Sequence, residues 1–441
     1  MTAAVPPVGK DKLAKIVATS VAASSIEWYD FFIYGTAAAL VFPKLFFAAD
    51  MPPAVAQIAA FSTFAVGFIA RPIGGMIFGH YGDRVGRKKA LVVALMLMGG
   101  ATTLIGCLPS YELIGVGAPL LLVLLRFAQG LAVGGQWGGA ALLCTESAPP
   151  GRKGFYGSFP QLGVPAGVVL ANLVFMLMTA NLAPEAFESW GWRAPFIFSI
   201  VLVALGLYVQ LKLEDTPEFQ ALEQAQATQA TGARKSPILT AILKHPKEIL
   251  LAGGSFVASN GCFYLVIVFL VSYSVGLGMD RTQVLWALVV GTLLSAASLP
   301  ISGALSDRIG RRAVYMIGAV GGGVWAFVLW QLVDGQTFWG LVTGIALASV
   351  FLNFMYGPQS ALFSELFSAE IRYSGASLGY QLGAILGGGF APIIATGLLA
   401  WNGGDSIIIA AYMAGLCAVS FVSIFLLAET NSRAHRLAQQ S

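Results

Sequence analysis

The sequence predicts an all-α polytopic membrane protein of twelve transmembrane helices in two six-helix halves. Three observations carry this reading. Of the 441 residues, 57% are hydrophobic and only 10% are charged, and the mean hydropathy is +0.77. Soluble domains are roughly 25% charged, so this composition could not solvate a surface of that size. Apolar runs of about 20 residues, enough to cross a hydrocarbon core, recur about twelve times. A short charged segment interrupts those runs twice, as Gly79-His-Tyr-Gly-Asp83-Arg84-Val-Gly86-Arg87-Lys88 and as Gly303-Ala-Leu-Ser-Asp307-Arg308-Ile-Gly310-Arg311-Arg312. The two aspartates stand 224 residues apart, about half the chain.

The first run, near 17–47, follows Lys10, Lys12 and Lys15 and superficially resembles a signal peptide. It continues past Glu27 and Asp30 and more spans follow, so a retained helix is expected. Further runs lie near 57–79, 90–108, 118–145, 154–180 and 193–212, then near 249–277, 283–304, 314–333, 337–362, 374–400 and 406–428. The 52 glycines suit helices that approach closely in lipid. Between the halves lies a polar stretch whose Pro217 suits the first turn of a surface helix. The expected organisation is an N-terminal half at 1–213, a central linker at 214–247 and a C-terminal half at 248–441.

Other landmarks repeat in order. Glu146, Arg152 and Gln161 recur as Glu365, Arg372 and Gln381 at offsets of 219, 220 and 220. Paired six-helix halves are a transporter design, with substrate bound between them near the bilayer midplane.

Lysine and arginine concentrate in the N-terminus, the repeated segments, the linker and the C-terminal tail, while the intervening loops carry Asp50, Glu112, Glu185, Glu188, Asp334 and Asp405. Positive charge stays inside, which places both termini in the cytoplasm. The net charge of +4 reflects this asymmetry, and no nucleic-acid partner is needed to explain it. The four cysteines lie in apolar runs without a CxxC pair, as small buried hydrophobes do. The three histidines sit at span ends or in loops, and there is no GxxxxGK[ST] phosphate loop. Neither an enzyme nor an ATP-driven pump is expected, and no metal or cofactor.

Charges inside a span cost roughly 2.5–3.5 kcal/mol each, so they call for a function. They are few and uneven: Glu27 and Asp30 in the first helix, Arg71 in the second, Arg126 in the fourth. Glu27 and Asp30 are i, i+3 neighbours, and Tyr34 continues the face. Burial and a nearby arginine act on a carboxyl in opposite senses, and a group balanced between them exchanges protons near neutral pH. Asp30 is the first candidate for proton coupling and Glu27 the second; the structural alternative is a permanent ion pair with Arg71 or Arg126. An arginine holds a carboxylate through two parallel hydrogen bonds, which makes Arg126 the candidate substrate anchor, against a helix-packing role. Gln129 follows one turn on, and Gln136 lies about 10 Å further along nearly the same face. Arg71, before Pro72, is read as structural ahead of substrate-binding. The last six helices offer neutral groups instead: Asn260, Tyr264, Asn353, Tyr356, Gln359, Tyr380 and Gln381. Gln161 and Gln381, related by the duplication, are expected to face each other across a cavity, with Trp137 and Tyr380 as apolar walls or simply as packing.

These residues resemble the major facilitator superfamily, whose hallmark is the Gly-x-x-x-Asp-Arg-x-Gly-Arg-Lys/Arg segment found here twice. Glu27-Trp-Tyr-Asp30-Phe, Arg71-Pro-x-Gly-Gly, Arg126-x-x-Gln129-Gly130 and Trp190-Gly-Trp-Arg193-x-Pro195-Phe196 resemble its metabolite:proton symporter family. Trp137-Gly-Gly-Ala-Ala-Leu-Leu and Arg372-Tyr-Ser-Gly-Ala through Gly379-Tyr380-Gln381 are similar to its shikimate permease branch. The resemblance covers nearly the whole chain. It implies a proton-coupled symporter in a bacterial-type inner membrane that imports a small organic acid, shikimate or a similar carboxylate, and a monomer is expected. Where the family usually carries Glu after Gly134-Gly135, this chain has Gln136, which cannot titrate. An uncoupled facilitator or exchanger for a dicarboxylate, a 2-oxoglutarate-like acid or a betaine is therefore the alternative. The resemblance also implies a gate. Asp83 would face a helix N-terminus of the other half, where the partial positive charge favours a carboxylate. Arg84, Arg87, Asp307, Arg308, Arg311, Glu146, Glu365 and Arg372 would complete the ion pairs, whereas the simpler reading of the segment is a stop signal with a turn.

Overall fold

The computed structural model describes residues 10–85, 87–136, 144, 148–149, 151–214, 245–367 and 372–430. The stretch 215–244, which holds most of the expected linker, lies outside the described residues. The described residues are almost wholly helical. In chain order the long helices are α1 (Lys10–Leu40), α2 (Pro53–Val85), α3 (Arg87–Gly106), α4 (Gly117–Gln136), α5 (Lys153–Asn181) and α6 (Ala194–Glu214). They continue as α7 (Pro246–Gly276), α8 (Arg281–Ile309), α9 (Arg311–Asp334), α10 (Phe338–Leu366), α11 (Gly375–Trp401) and α12 (Ile407–Leu426).

Ten described helices are long and apolar enough to cross a membrane, and Val92–Gly106 within α3 is a shorter apolar stretch. With α1, which carries Glu27 and Asp30, they make the twelve the sequence predicts. The repeated charged segments are tighter than loops. Helix α2 runs on through Val85 and α3 restarts at Arg87, while Gly310 alone, at φ 101°, joins α8 to α9. A positive φ is open to glycine without steric cost.

Helix α2 lies along α4, and α1 along α5; α7 packs on α11 and α12, and α9 on α10 and α12. Helices α5 against α8 and α2 against α11 make the broadest contacts between α1–α6 and α7–α12, and α1 against α7 and α5 against α10 make smaller ones. Glycine permits the closest approaches. A Cβ on Gly74 would fall on the Leu131 carbonyl, and one on Gly134 on the Arg71 carbonyl. Small residues at such contacts let backbones touch where lipid gives no apolar driving force. Helix α7 carries a π-turn at Leu265–Phe269 and α11 another at Ala384–Gly389. Helix α5 carries a 3₁₀ turn at Pro160–Leu162. Such irregular turns re-aim the side chains around the middle of the bundle.

Candidate proton and substrate site

The i, i+3, i+4 face of α1 turns Asp30 and Tyr34 into the bundle, both fully buried, with Glu27 partly so. Arg71 from α2 and Arg126 from α4 are 1% and 0% exposed and flank this face. No ion pair holds either arginine among the described residues. Aromatic rings hold them instead. Phe31 receives both, with the Arg71 Cζ at 4.4 Å and the Arg126 Cζ at 4.2 Å from its centroid. Arg71 also lies over Phe68 at 4.5 Å, and Arg126 over Tyr34 at 4.2 Å and Phe64 at 4.8 Å. A ring face offers a guanidinium an electrostatic partner that stays apolar toward the helices.

Hydrogen bonds then connect α4, α3 and α1. The Arg126 Nη1 donates to Gln129 Oε1 at 2.9 Å, and Gln129 Nε2 donates to Thr102 Oγ1 at 2.6 Å. The Thr102 hydroxyl lies 2.8 Å from the Met98 carbonyl and 3.4 Å from Asp30 Oδ2. Asp30 and Arg126 therefore do not pair directly, and two neutral side chains stand between them. Tyr34 is used structurally, its hydroxyl donating to Thr63 at 2.7 Å.

Several buried atoms remain without a protein partner: Asp30 Oδ1, and Nε and Nη2 of both Arg71 and Arg126. An unsatisfied buried polar group costs about 1–3 kcal/mol, more when charged. Nε and Nη2 form one edge of a guanidinium, the edge that fits a carboxylate with two parallel hydrogen bonds.

A cavity of about 40 Å³ lies beside this cluster, with room for roughly three waters. Its lining includes Ser259, Asn260 and Tyr264 of α7, Thr292 and Ser295 of α8, Ser349, Asn353 and Tyr356 of α10, Tyr380 of α11 and Trp28 of α1. Every lining residue is neutral. Asn353 donates to the Ser295 carbonyl at 3.0 Å and to Ser298 Oγ at 2.8 Å, while Asn260 Oδ1 has no protein partner and the Tyr264 hydroxyl faces Arg71. Tyr380 stacks on Phe256 with centroids 4.3 Å apart. Tyr264 packs on Phe31, Phe64 and Phe68 at 6.1, 5.5 and 5.2 Å, so an aromatic layer lies between the arginines and the cavity.

Five of the expected contact residues, Asn260, Tyr264, Asn353, Tyr356 and Tyr380, thus line the cavity. Arg126, Gln129, Tyr34, Gln161 and Gln381 are outside its lining. Gln161 and Gln381 are buried with Oε1 of each unpartnered, and neither is part of the cavity lining. Trp137 and the Gln136 side chain lie outside the described residues. The sequence reading missed Thr102, Ser259, Thr292, Ser295, Ser349 and Trp28. Their only signal is a hydroxyl or a ring on an apolar helix, which hydropathy barely registers.

At the Gly310 end, α5 meets α8. The Asp307 carboxylate accepts the Gly154 and Phe155 N–H groups, each at 2.9 Å, at the first turn of α5. Arg311 bonds Asp307 at 2.7 Å and Glu365 at 3.2 Å, and Thr430 donates to Glu365 at 2.8 Å. Glu429 accepts the Arg311 and Arg312 N–H groups, each at 3.0 Å, and so caps α9. Arg308 is exposed. The side chains of Asp83, Arg84, Arg87 and Arg372, and Glu146 altogether, lie outside the described residues. At the opposite end Glu188, in the α5–α6 connection, is bonded by Lys44 at 2.9 Å and by Arg281 of α8 at 3.0 Å. Partial burial opposes ionisation of Glu188, but the hydrogen bonds and charges of Lys44 and Arg281 outweigh it and hold the carboxyl below its ordinary range.

A twelve-helix bundle with buried arginines and a central cavity is the architecture of a membrane transporter. Known proteins agree. The family model described as "Sugar (and other) transporter" matches residues 16–241, and that of the Major Facilitator Superfamily matches 251–440. The shikimate transporter of Escherichia coli is 42% identical over 93% of each chain. The Escherichia coli inner membrane metabolite transport protein YhjE is 41% identical over 94% of each, and the proline/betaine transporter of Salmonella typhimurium 32% over 96% of this chain and 85% of its own. The xylose transporter XylE from Escherichia coli superposes with a TM-score of 0.73 at 16% identity, over 96% of this chain and all of that one. The chain belongs to the major facilitator superfamily.

Proposed function

We propose that this transporter is a proton-coupled symporter that imports a small organic acid, shikimate or a similar carboxylate, across a bacterial inner membrane by alternating access. The observation that carries the reading is the buried Arg126, whose Nε–Nη2 edge has no protein partner and whose Nη1 is bonded toward Asp30 through Gln129 and Thr102. Asp30, with Glu27 second, takes the proton, and Arg126 takes the carboxylate. The neutral cavity wall of Asn260, Asn353, Tyr264, Tyr356 and Tyr380 meets the hydroxyls and ring of the substrate. The 42% identity to a shikimate transporter supports the substrate class. The cavity is small, so substrate entry requires α1–α6 and α7–α12 to rock apart. In this reading both termini and the Gly310 end face the cytoplasm, the units are 1–213, 214–247 and 248–441, and one chain suffices. Asp307, Arg311 and Glu365 hold the cytoplasmic end shut, with Asp83, Arg87 and Glu146 as their duplicates in the first six helices and Arg84, Arg308 and Arg372 completing the gate. Uptake of labelled shikimate into proteoliposomes under an imposed pH gradient tests it.

A second reading, uncoupled facilitation or exchange of a related metabolite, is favoured by Gln136, which cannot carry a proton where the resembled family usually has Glu. The family also includes relatives named for proline and betaine transport. Gradient-driven uptake that appears only in Gln136→Glu would support it.

A further inference from the structure

The bonded chain between Asp30 and Arg126 has a direction built into it. Gln129 presents an acceptor to Arg126 Nη1 and a donor to Thr102 Oγ1. Its amide is fixed this way because a guanidinium has no acceptor to offer. The Thr102 hydroxyl has one proton and two lone pairs. One lone pair is taken by Gln129, so its proton and remaining lone pair are shared between the Met98 carbonyl at 2.8 Å and Asp30 Oδ2 at 3.4 Å. A protonated Asp30 donates to Thr102, whose own proton then stays on Met98. An ionised Asp30 demands that proton, and Thr102 turns away from Met98. Every alternative reorients the group that holds Gln129, and Gln129 in turn sets which edge of Arg126 is left open.

We infer that Thr102 and Gln129 are positioning residues that carry the protonation state of Asp30 to Arg126 by a hydrogen-bond relay and hold its Nε–Nη2 edge ready for a carboxylate. The inference rests on the proposed proton site at Asp30. The charged and titratable groups around this stretch are Glu27, Tyr29 and Tyr34 on α1 itself, Arg71 on α2, Arg126 on α4 and Tyr264 on α7. Helices α3 and α6 face Asp30 with the hydroxyls of Thr102 and Ser199. Arg193, at the start of α6, is committed to the Gly106 and Leu108 carbonyls at 2.9 and 2.6 Å. Space at the open edge is kept by Gly67, where a Cβ would come within 2.6 Å of Arg126 Nε.

The test needs no ligand. The carboxyl C=O band of the full-length protein in lipid is followed by infrared spectroscopy as a function of pH, and the Asp30 component is assigned by its loss in Asp30→Asn. Arg126→Lys keeps the charge but loses the fork, so it changes the bonded chain far more than the through-space field. It should move the Asp30 midpoint by about half a pH unit, roughly threefold in proton affinity. In a Thr102→Val background the same change should move it not at all, and Thr102→Ser should restore the response. Gln129→Leu, a second cut in the chain, should abolish it as Thr102→Val does. An equal shift with and without the Thr102 hydroxyl overturns the relay and leaves Asp30 as the proton site. Absence of any band lost in Asp30→Asn overturns the proton site, and the relay with it.

Discussion

Asp307 and Gly154 are joined by a 2.9 Å hydrogen bond that runs from α5 of the first six helices to the end of α8 in the last six. The carboxylate takes the Phe155 N–H as well, so it caps one helix while ending another. Gly154 and Gly303 allow this: a Cβ on Gly154 would come within 2.5 Å of the Gly303 carbonyl. Removing the cap should loosen this end first. Asp307→Ala is expected to cost about 1–2 kcal/mol, a 5- to 30-fold rise in local opening. Hydrogen exchange at Gly154 and Phe155 measures it, and exchange unchanged from the parent would mean the cap holds nothing.

Arg126 should matter through its shape as well as its charge. Hydrogen bonds to charged groups contribute about 1.5–3 kcal/mol. Arg126→Lys is therefore expected to weaken shikimate binding roughly 10- to 150-fold, read by equilibrium binding to purified protein, since a lysine cannot offer two parallel donors. Binding within twofold of the parent would remove Arg126 from the substrate contact.

The α2–α4 contact predicts a sharp contrast between two glycines. Gly134→Ala places a methyl on the Arg71 carbonyl, where backbone rather than a flexible side chain must give. Overpacking of this kind costs about 1–3 kcal/mol or more. Gly397→Ala meets nothing within 4 Å. The first variant should melt well below the parent in detergent, and the second should melt with it.

The latch at Glu188 should respond to acid. Its carboxyl is held below the ordinary range in the folded protein. A depressed carboxyl stabilises above its unfolded value and loses that contribution as pH falls through the folded one. The contacts to Lys44 and Arg281 should therefore be complete at neutral pH and weaken in acid. Spin labels at positions 185 and 283 should show a distance distribution that broadens on acidification, and Glu188→Gln should be broad at every pH. A distribution independent of pH in the parent would rule out the latch.

The architecture was legible because charge is expensive in lipid. Glu27, Asp30, Arg71 and Arg126 stand out in apolar runs, and the two Asp-Arg-x-Gly-Arg segments mark the duplication. Asp307 proved to cap a helix of the other six, the role that the family resemblance implied for its duplicate Asp83. The partnership of Asp30 was not legible. Thr102 is a neutral hydroxyl inside an apolar helix, and only the packing of α3 between α1 and α4 gives it a role. The same holds for Ser259, Thr292, Ser295 and Ser349 in the cavity wall. The place of Arg71 before Pro72 points to a structural role, yet its Nε and Nη2 are as unpartnered as those of Arg126. The Glu188 latch joins residues far apart in sequence, and the loop pattern showed only an acidic bias.

In the proposed mechanism the proton coupled to uptake binds at Asp30. In proteoliposomes, Asp30→Asn should lose shikimate accumulation driven by a pH gradient while retaining shikimate exchange between equal pools on both sides. Gradient-driven accumulation at the parent level in Asp30→Asn would contradict it.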